Sequence, residues 1–233
     1  AAVVAALVSD GNVFFETKRD YAKDMVTGFI RLNGMTVGVV GNRSKVLDVD
    51  GSVKEEYDTT LSANGCKKAS DFVEFCDAFN IPVVTFTNVT GFKTCKCAEM
   101  TLARETAKLN YAFANATVPK VNVVIGKAYG SAYITMNSKS IGADMVYAWP
   151  TSEIGMMDAT LAAKIMYADA DANTLSEKAK EYKELQSSPI SAARRGYVDT
   201  IIEPQDTRKY LIGALEMLFT KREERPMKKH GTV

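Results

Sequence analysis

The sequence predicts a single mixed α/β domain. Three observations carry that expectation. Short apolar, β-branched runs, VVTF at Val83–Phe86 and VNVVI at Val121–Ile125, suit buried strands. Stretches with helical periodicity separate them. A loose internal echo also runs through the middle of the chain. Helix 71–79 with strand 83–86, and helix 98–115 with strand 121–125, each deliver a strand's end beside a glycine turn. Strands alternating with helices and supplemented by a hairpin define a mixed α/β arrangement. A chain of 233 residues can bury a substantial core, and no linker or low-complexity segment divides residues 1–233.

Taken in order, the chain opens with the apolar stretch AAVVAALV and a short run from Val13 to Phe15. Met25–Leu32 alternates and reads as a strand, Asn33-Gly34 is a strong hairpin signal, and Met35–Val40 returns. Arg43–Asn64 is polar and irregular, the pattern of a surface excursion. Ser70 or Asp71 is the expected cap of a helix bearing Phe72, Val73, Cys76 and Phe79 on one face, closed by Asn80-Ile81-Pro82. After the strand at Val83–Phe86 comes the glycine-tipped loop Asn88–Phe92. A helix from about Ala98 to Asn115 follows, with Leu102, Leu109 and Phe113 on its inner stripe. Ile141–Ala148 holds a further strand and Ser152–Met157 another. The remainder is mainly helical. Thr160–Ala168 is apolar, Thr174-x-x-Glu177 reads as a capping box for a polar helix through Gln186, and Ile190–Gly196 is short. Asp206 caps a last helix with Leu211, Leu215, Leu218 and Phe219 on one face. The helices between residues 160 and 222 are expected to pack outside the core.

The totals exclude several function classes. A net charge of +1 gives no strong global attraction to nucleic acid or acidic membranes. No stretch approaches the roughly 20 apolar residues of a membrane span. The opening residues lack the basic leader of a signal peptide. They also lack an initiator methionine, as expected of a fragment cut from a longer chain. Cys66, Cys76, Cys95 and Cys97 match no common zinc spacing and are expected to be free thiols of a cytoplasmic protein. The one histidine, His230, stands in the basic tail, where it is a poor member of any triad or metal site.

The stretch with most chemical content is NATVPKVNVVIGKAYGSAYITM, Asn115–Met136. Pro119 stops the incoming helix, the β-branched run follows, and Gly126 and Gly130 bracket a turn before a new helix. The first amides of a helix have no intrahelical acceptor, and the small residues Gly130, Ser131 and Ala132 let a ligand approach them. That is the chemistry of an oxyanion or anion site. On spacing alone, an ordinary strand-to-helix turn accounts for the same residues.

Six segments carry a resemblance. They are DYAKDMVTGFIRLNGMTVGVVGN, FVEFCDAFNIPVVTFTNVTGF, AKLNYAFANATVPKVNVVIGKAYGSAY, DMVYAWPTSEIGMM, SAARRGYVDTIIEP and the tail KREERPMKKHG. In collinear order and over nearly the whole chain, they resemble the C-terminal half of the carboxyltransferase β subunit of biotin-dependent acyl-CoA carboxylases, propionyl-CoA carboxylase above all. Sodium-pumping acyl-CoA decarboxylases and transcarboxylases use the same type of subunit. The resemblance implies a crotonase-like fold of stacked ββα units, with two roughly perpendicular sheets surrounded by helices. It also implies carboxyl transfer between biotin and a short-chain acyl-CoA. The N-terminal half would hold the CoA ester and the C-terminal half the biotin, at a site shared between subunits.

Carried over to this chain, the resemblance makes the backbone amides of Ser131 and Ala132 the donors to biotin's ureido oxygen, with Gly130 shaping the turn. It makes Thr90, Gly91 and Phe92 a wall of the same pocket and Ile134 the residue beside the acyl group. It implies no metal. Its implied partners are the missing N-terminal half, a biotin carboxyl carrier protein and a biotin carboxylase or decarboxylase subunit, in a trimeric or hexameric homo-oligomer. Ser131 replaces a usual second glycine, Thr90 a usual proline and Asp158 a commoner glycine, and the excursion from Val46 to Asn64 is long for the family. Two other readings stand beside this one. In the first, the chain is a non-catalytic assembly module. In the second, Ser131 is a nucleophile, which the context YGSAY and the lack of a placed histidine disfavour. Glu153 and Asp158 lie near the site in sequence, and solvated or structural roles suffice for them.

Overall fold

The computed structural model describes residues 1–47 and 50–225. His230 and the end of the basic tail lie outside the described residues, as does part of the excursion after Val46.

Twelve strands form among the described residues. The antiparallel start consists of β1 (Phe15–Thr17), β2 (Met25–Leu32) and β3 (Met35–Asn42). The excursion contains a small antiparallel pair, β4 (Lys45–Leu47) and β5 (Val53–Glu56), and then β6 (Thr60–Leu61). Next come β7 (Val83–Val89), β8 (Gly91–Phe92), β9 (Lys120–Tyr129), β10 (Met145–Ala148), β11 (Glu153–Gly155) and β12 (Thr200–Ile201). One eight-stranded sheet runs in the order β1-β2-β3-β7-β9-β10-β12, with β11 branching onto β9. From β3 onward its neighbours are parallel. The strands outside it form two two-stranded pieces, β4–β5 and β6–β8.

The β2–β3 hairpin turns where expected. Asn33 and Gly34 both have positive φ, 52° and 80°, the pattern of a tight turn whose twist matches its flanking strands. Alternation along the strands sends side chains to opposite faces. Val83 and Val124 join one apolar cluster, with Phe72, Val73 and Cys76 of α2 and Leu109 and Phe113 of α3. Val84, Phe86, Val121 and Val123 join the other, with Ala5 and Val8 of α1 and Leu211 and Leu215 of α8. These helices span Ala2–Val8 (α1), Ala63–Ala78 (α2), Lys96–Asn115 (α3) and Thr207–Met217 (α8). Between α3 and α8 lie α4 (Gly130–Thr135), α5 (Ala159–Met166), α6 (Ala172–Tyr182) and α7 (Pro189–Arg194).

Four local expectations need correction. Helix α2 is not capped by Ser70 or Asp71. It begins at Ala63, where Ser62 Oγ accepts from the Gly65 amide at 3.0 Å and donates to Asp24 at 2.5 Å. Gly126 does not bracket a turn but lies inside β9. A Cβ there would stand 2.5 Å from Asn88 Oδ1, which instead accepts from the Lys127 amide at 2.9 Å. Asn88 sits where the β7–β9 register shifts, so the glycine admits a side chain from the neighbouring strand. The cap of α6 is Asp171, accepting from the Thr174 amide at 3.2 Å, not Thr174, and a wide π-helical turn at Lys183–Ser187 follows Tyr182. Phe219 leaves the face it was expected to share. Helix α8 stops at Met217, and a 3₁₀ turn at Leu218–Thr220 leaves Phe219 69% exposed.

Candidate functional site

The site is built at the C-terminal end of β9, the longest strand. Tyr129 is still extended (φ −115°, ψ 138°) and caps α4. Gly130 turns the chain with φ +57°, a value L-residues adopt at a cost. The amides of the first turn then have no intrahelical acceptor. The short helix is held from behind. Thr135 Oγ1 donates to the Ser131 carbonyl at 3.0 Å, and Asn137 Nδ2 to Thr85 Oγ1 at 3.2 Å. Thr87 Oγ1 bonds Asn122 Oδ1 at 2.8 Å within the same buried polar group.

In front of α4 opens a cavity of about 450 Å³. Gly130, Ser131 and Ile134 form one wall and Ile154, Gly155 and Met156 another. Tyr182, Gln186, Arg195 and Tyr197 close the far side, and Arg195 donates to Gln186 Oε1. A Cβ on Gly130 would stand 3.1 Å from the Met156 carbonyl, so the two walls approach each other at backbone level.

Three of the residues singled out in the sequence thus meet at the cavity: Gly130, Ser131 and Ile134. Ala132 does not line it. The whole residue is buried in the core, and its amide belongs to the first turn of α4. Thr90, Gly91 and Phe92 do not line it either. Thr90 bonds Thr59 through both its amide (2.7 Å) and its hydroxyl (3.1 Å). Gly91 and Phe92 form β8, paired with β6 and in contact with α4, and Phe92 packs on the core.

The two nearby carboxylates are occupied structurally. Glu153 accepts from Tyr129 Oη and pairs with Lys183 Nζ at 2.8 Å. Burial pushes its carboxyl up, but the bonds from Lys183 and Tyr129 and the charge of Lys127 outweigh burial and leave it below its ordinary value. It stays ionised and is a poor general acid. Asp158 caps α5, accepting from the Thr160 amide at 3.0 Å, and lies 3.7 Å from Lys127.

The far wall was not found from sequence. Its signal was present only in part. Gly196, with φ +79°, ends α7, and the Tyr197 amide reaches back to the Ala192 carbonyl at 3.0 Å. That cap was legible, but nothing local says that Arg195 and Tyr197 then face β11.

The arrangement defines a crotonase-type fold with a glycine-led strand-to-helix turn beside a half-open cavity. The chain belongs to the carboxyl transferase domain family, which matches residues 1–233. It is 43% identical to the methylmalonyl-CoA decarboxylase subunit alpha of Veillonella parvula, over 99% of this chain and 43% of that one. It is 44% identical to the human mitochondrial propionyl-CoA carboxylase beta chain, over 97% of this chain and 40% of that one. The crystal structure of a transcarboxylase 12S hexamer with methylmalonyl-coenzyme A and methylmalonic acid bound superposes with a TM-score of 0.89, at 42% identity, covering 99% of this chain and 44% of that one. The chain therefore spans less than half the length of the relatives it matches. No helix among the described residues is long and apolar enough to cross a membrane.

Proposed function

We propose that this chain is the biotin-side half of an acyl-CoA carboxyltransferase. The observation that carries the proposal is the β9–α4 junction, where Gly130, with a φ of +57°, and Ser131 line a cavity at the first turn of a helix, whose amides have no intrahelical acceptor. Biotin, borne on a partner carrier domain, supplies the carboxyl group. The junction suits its ureido group, because that group presents an oxygen acceptor and the first turn presents only donors. The Ser131 and Ala132 amides donate to an oxygen on which negative charge develops, and they need no reorganisation to do so. The proton on the acyl α-carbon needs no protein base if the ureido nitrogen receives it, which agrees with the ion-paired state of Glu153. Ile134 sets the width available beside a short acyl chain. Gly91 and Phe92, in contact with α4, and Thr90, bonded to Thr59 beside them, support α4 from the β6–β8 side without lining the cavity.

The CoA ester is held by a missing N-terminal half. Exposed apolar side chains near the cavity, Met156 (74%), Leu185 (60%) and Ile190 (55%), suit burial against such a partner. The working enzyme is a homo-oligomer that accepts the biotin carboxyl carrier and a carboxylase or decarboxylase subunit. The test is to supply an N-terminal half, confirm its association, and follow decarboxylation of methylmalonyl-CoA and malonyl-CoA with free biotin. Turnover dependent on both halves is expected. A folded, associated complex without turnover on either ester refutes the proposal.

A further inference from the structure

Two thiols outside the cavity are arranged in a way the proposed chemistry does not use. Cys95 and Cys97 flank Lys96, the first residue of α3. Residues two apart on a helix do not face each other. These two meet because Cys95 lies just outside the helix, as its N-cap, with extended backbone (φ −154°, ψ 158°). Its side chain folds back over the first turn. There its Sγ accepts from the Ala98 amide at 3.3 Å and lies 2.6 Å from Cys97 Sγ. A disulfide bond of about 2.0 Å needs only a small further approach. Both thiols reach solvent, whereas Cys66 and Cys76 are buried, and burial pushes each of those up to about 12.

We propose that Cys95 and Cys97 are a reversible dithiol–disulfide pair that sets the order of the first turn of α3. The reaction partner is a small-molecule disulfide of the glutathione class. Cys95 is the attacking thiol. The hydrogen bond from Cys97 and the Ala98 amide hold it below the ordinary thiol range, and the charge of Lys93 adds to this, while Cys97 is raised. The Cys95 thiolate attacks one sulfur of the reagent and expels the other half as a thiolate. Cys97, losing its proton, then attacks Cys95 Sγ and expels the second half. Two protein thiols are oxidised by two electrons, one disulfide is reduced to two thiols, and the two protons pass to the two leaving groups.

The position gives the pair its consequence. Cys95 is three residues beyond Phe92, on the link from β8 to α3, and the Lys93 amide on that link bonds the Leu61 carbonyl of β6 at 2.9 Å. The Ala98 amide is shared between Cys95 Sγ and the Cys95 carbonyl, the latter at 2.9 Å, so drawing Sγ into a disulfide with Cys97 removes one of its two acceptors and weakens the cap of α3. The segment that leans on α4 through β8 then loses one of its side-chain holds on α3 and keeps the backbone bonds of the Cys95 carbonyl. The effect on carboxyl transfer rests on the function proposed above, and the thiol chemistry does not.

The experiment uses the whole chain in buffers of graded reduced-to-oxidised glutathione ratio, quenched by alkylation and read by peptide mass mapping. A 95–97 cross-linked peptide, lighter by two hydrogens and restored by dithiothreitol, is expected. Cys97→Ser should instead accumulate a glutathione adduct on Cys95. Hydrogen exchange at Ala98 should quicken several-fold on oxidation of the wild type and not in Cys95→Ser, whose hydroxyl stays as the cap. Alkylation of both thiols across the whole range overturns the proposal, and so does protection of both by added zinc with no cross-link. In the two-half assay, oxidation should slow turnover of the wild type reversibly and leave Cys95→Ser unaffected. If the reduced enzyme has no turnover, the functional reading fails while the mass data still decide the thiol chemistry.

Discussion

Gly130→Ala tests the junction between β9 and α4. The left-handed backbone costs a residue with a Cβ about 1–2 kcal/mol. The new methyl group also stands 3.1 Å from the Met156 carbonyl, a backbone atom with little freedom to retreat. Against this, alanine restricts the unfolded chain and returns about 0.4–1 kcal/mol. The net effect is a loss of about 1 kcal/mol. Gly213→Ala is the matched control. Gly213 is exposed inside α8, has no neighbour within 4 Å of its would-be Cβ and no positive φ, so alanine should gain about 0.5–1 kcal/mol. The two variants should differ by about 2 kcal/mol, or about 4–8 °C in Tm for a chain of this size. Urea and thermal unfolding followed by circular dichroism measure the gap. A Gly130→Ala protein as stable as Gly213→Ala refutes the strain assigned to the turn.

Further predictions concern the core and the site. Lys68 is buried with its Nζ on the Met25 carbonyl at 2.8 Å and the Tyr21 carbonyl at 2.9 Å, and burial lowers it from 10.5 to about 8. Between those values the unfolded chain holds a proton that the folded one has lost, so Lys68 makes stability rise with pH there, by at most about 1.4 kcal/mol per pH unit. Buried Cys66 and Cys76 act in the opposite sense at high pH, so the difference between wild type and Lys68→Met in urea midpoint, measured from pH 7 to 10, isolates the lysine. A flat difference contradicts the assignment. Asp77→Ala frees the Thr117 and Val118 amides, now bonded to Asp77 at 2.7 and 3.2 Å, and should cost about 1–3 kcal/mol by urea unfolding. In the two-half assay Ser131→Gly should keep turnover within a few-fold, because the donor in the proposed function is the backbone amide and not the hydroxyl. Ile134→Trp should raise KM more for the longer of two acyl-CoA esters by narrowing the cavity, and equal effects on both esters count against Ile134 as a width gauge.

What was legible in the sequence is what local chemistry decides. The Asn33-Gly34 turn, the β-branched strands and the β9–α4 junction each follow from residues close in the chain. What was missed depends on distant partners. The start of α2 looked like a loop because ANGCKKAS is polar, and Lys68 occupies a core position only by reaching carbonyls of residues 21 and 25. Gly126 read as a turn because the reason for it, the Asn88 side chain, belongs to another strand. The cavity's far wall joins residues 182–197 to β11, a contact no periodicity encodes. The placement of Thr90–Phe92 against Thr59 and α4 likewise arises from β6, which the irregular composition of the excursion concealed.

Strand β9 is divided between neighbours. Residues 121–124 pair with β10, residues 127–129 with β11, and β7 lies along its other edge. Loosening the strand therefore means breaking ladders to three elements at once. The amides at its end ride on the part of the molecule with the least freedom to open, and their exchange with solvent deuterium should track global unfolding up to Tyr129. On the function proposed above, adjustment to ligands of different size falls to residues 182–197, which line the far side of the cavity and lie outside these ladders. Specificity changes should be sought by altering residues 182–197 before touching the strand.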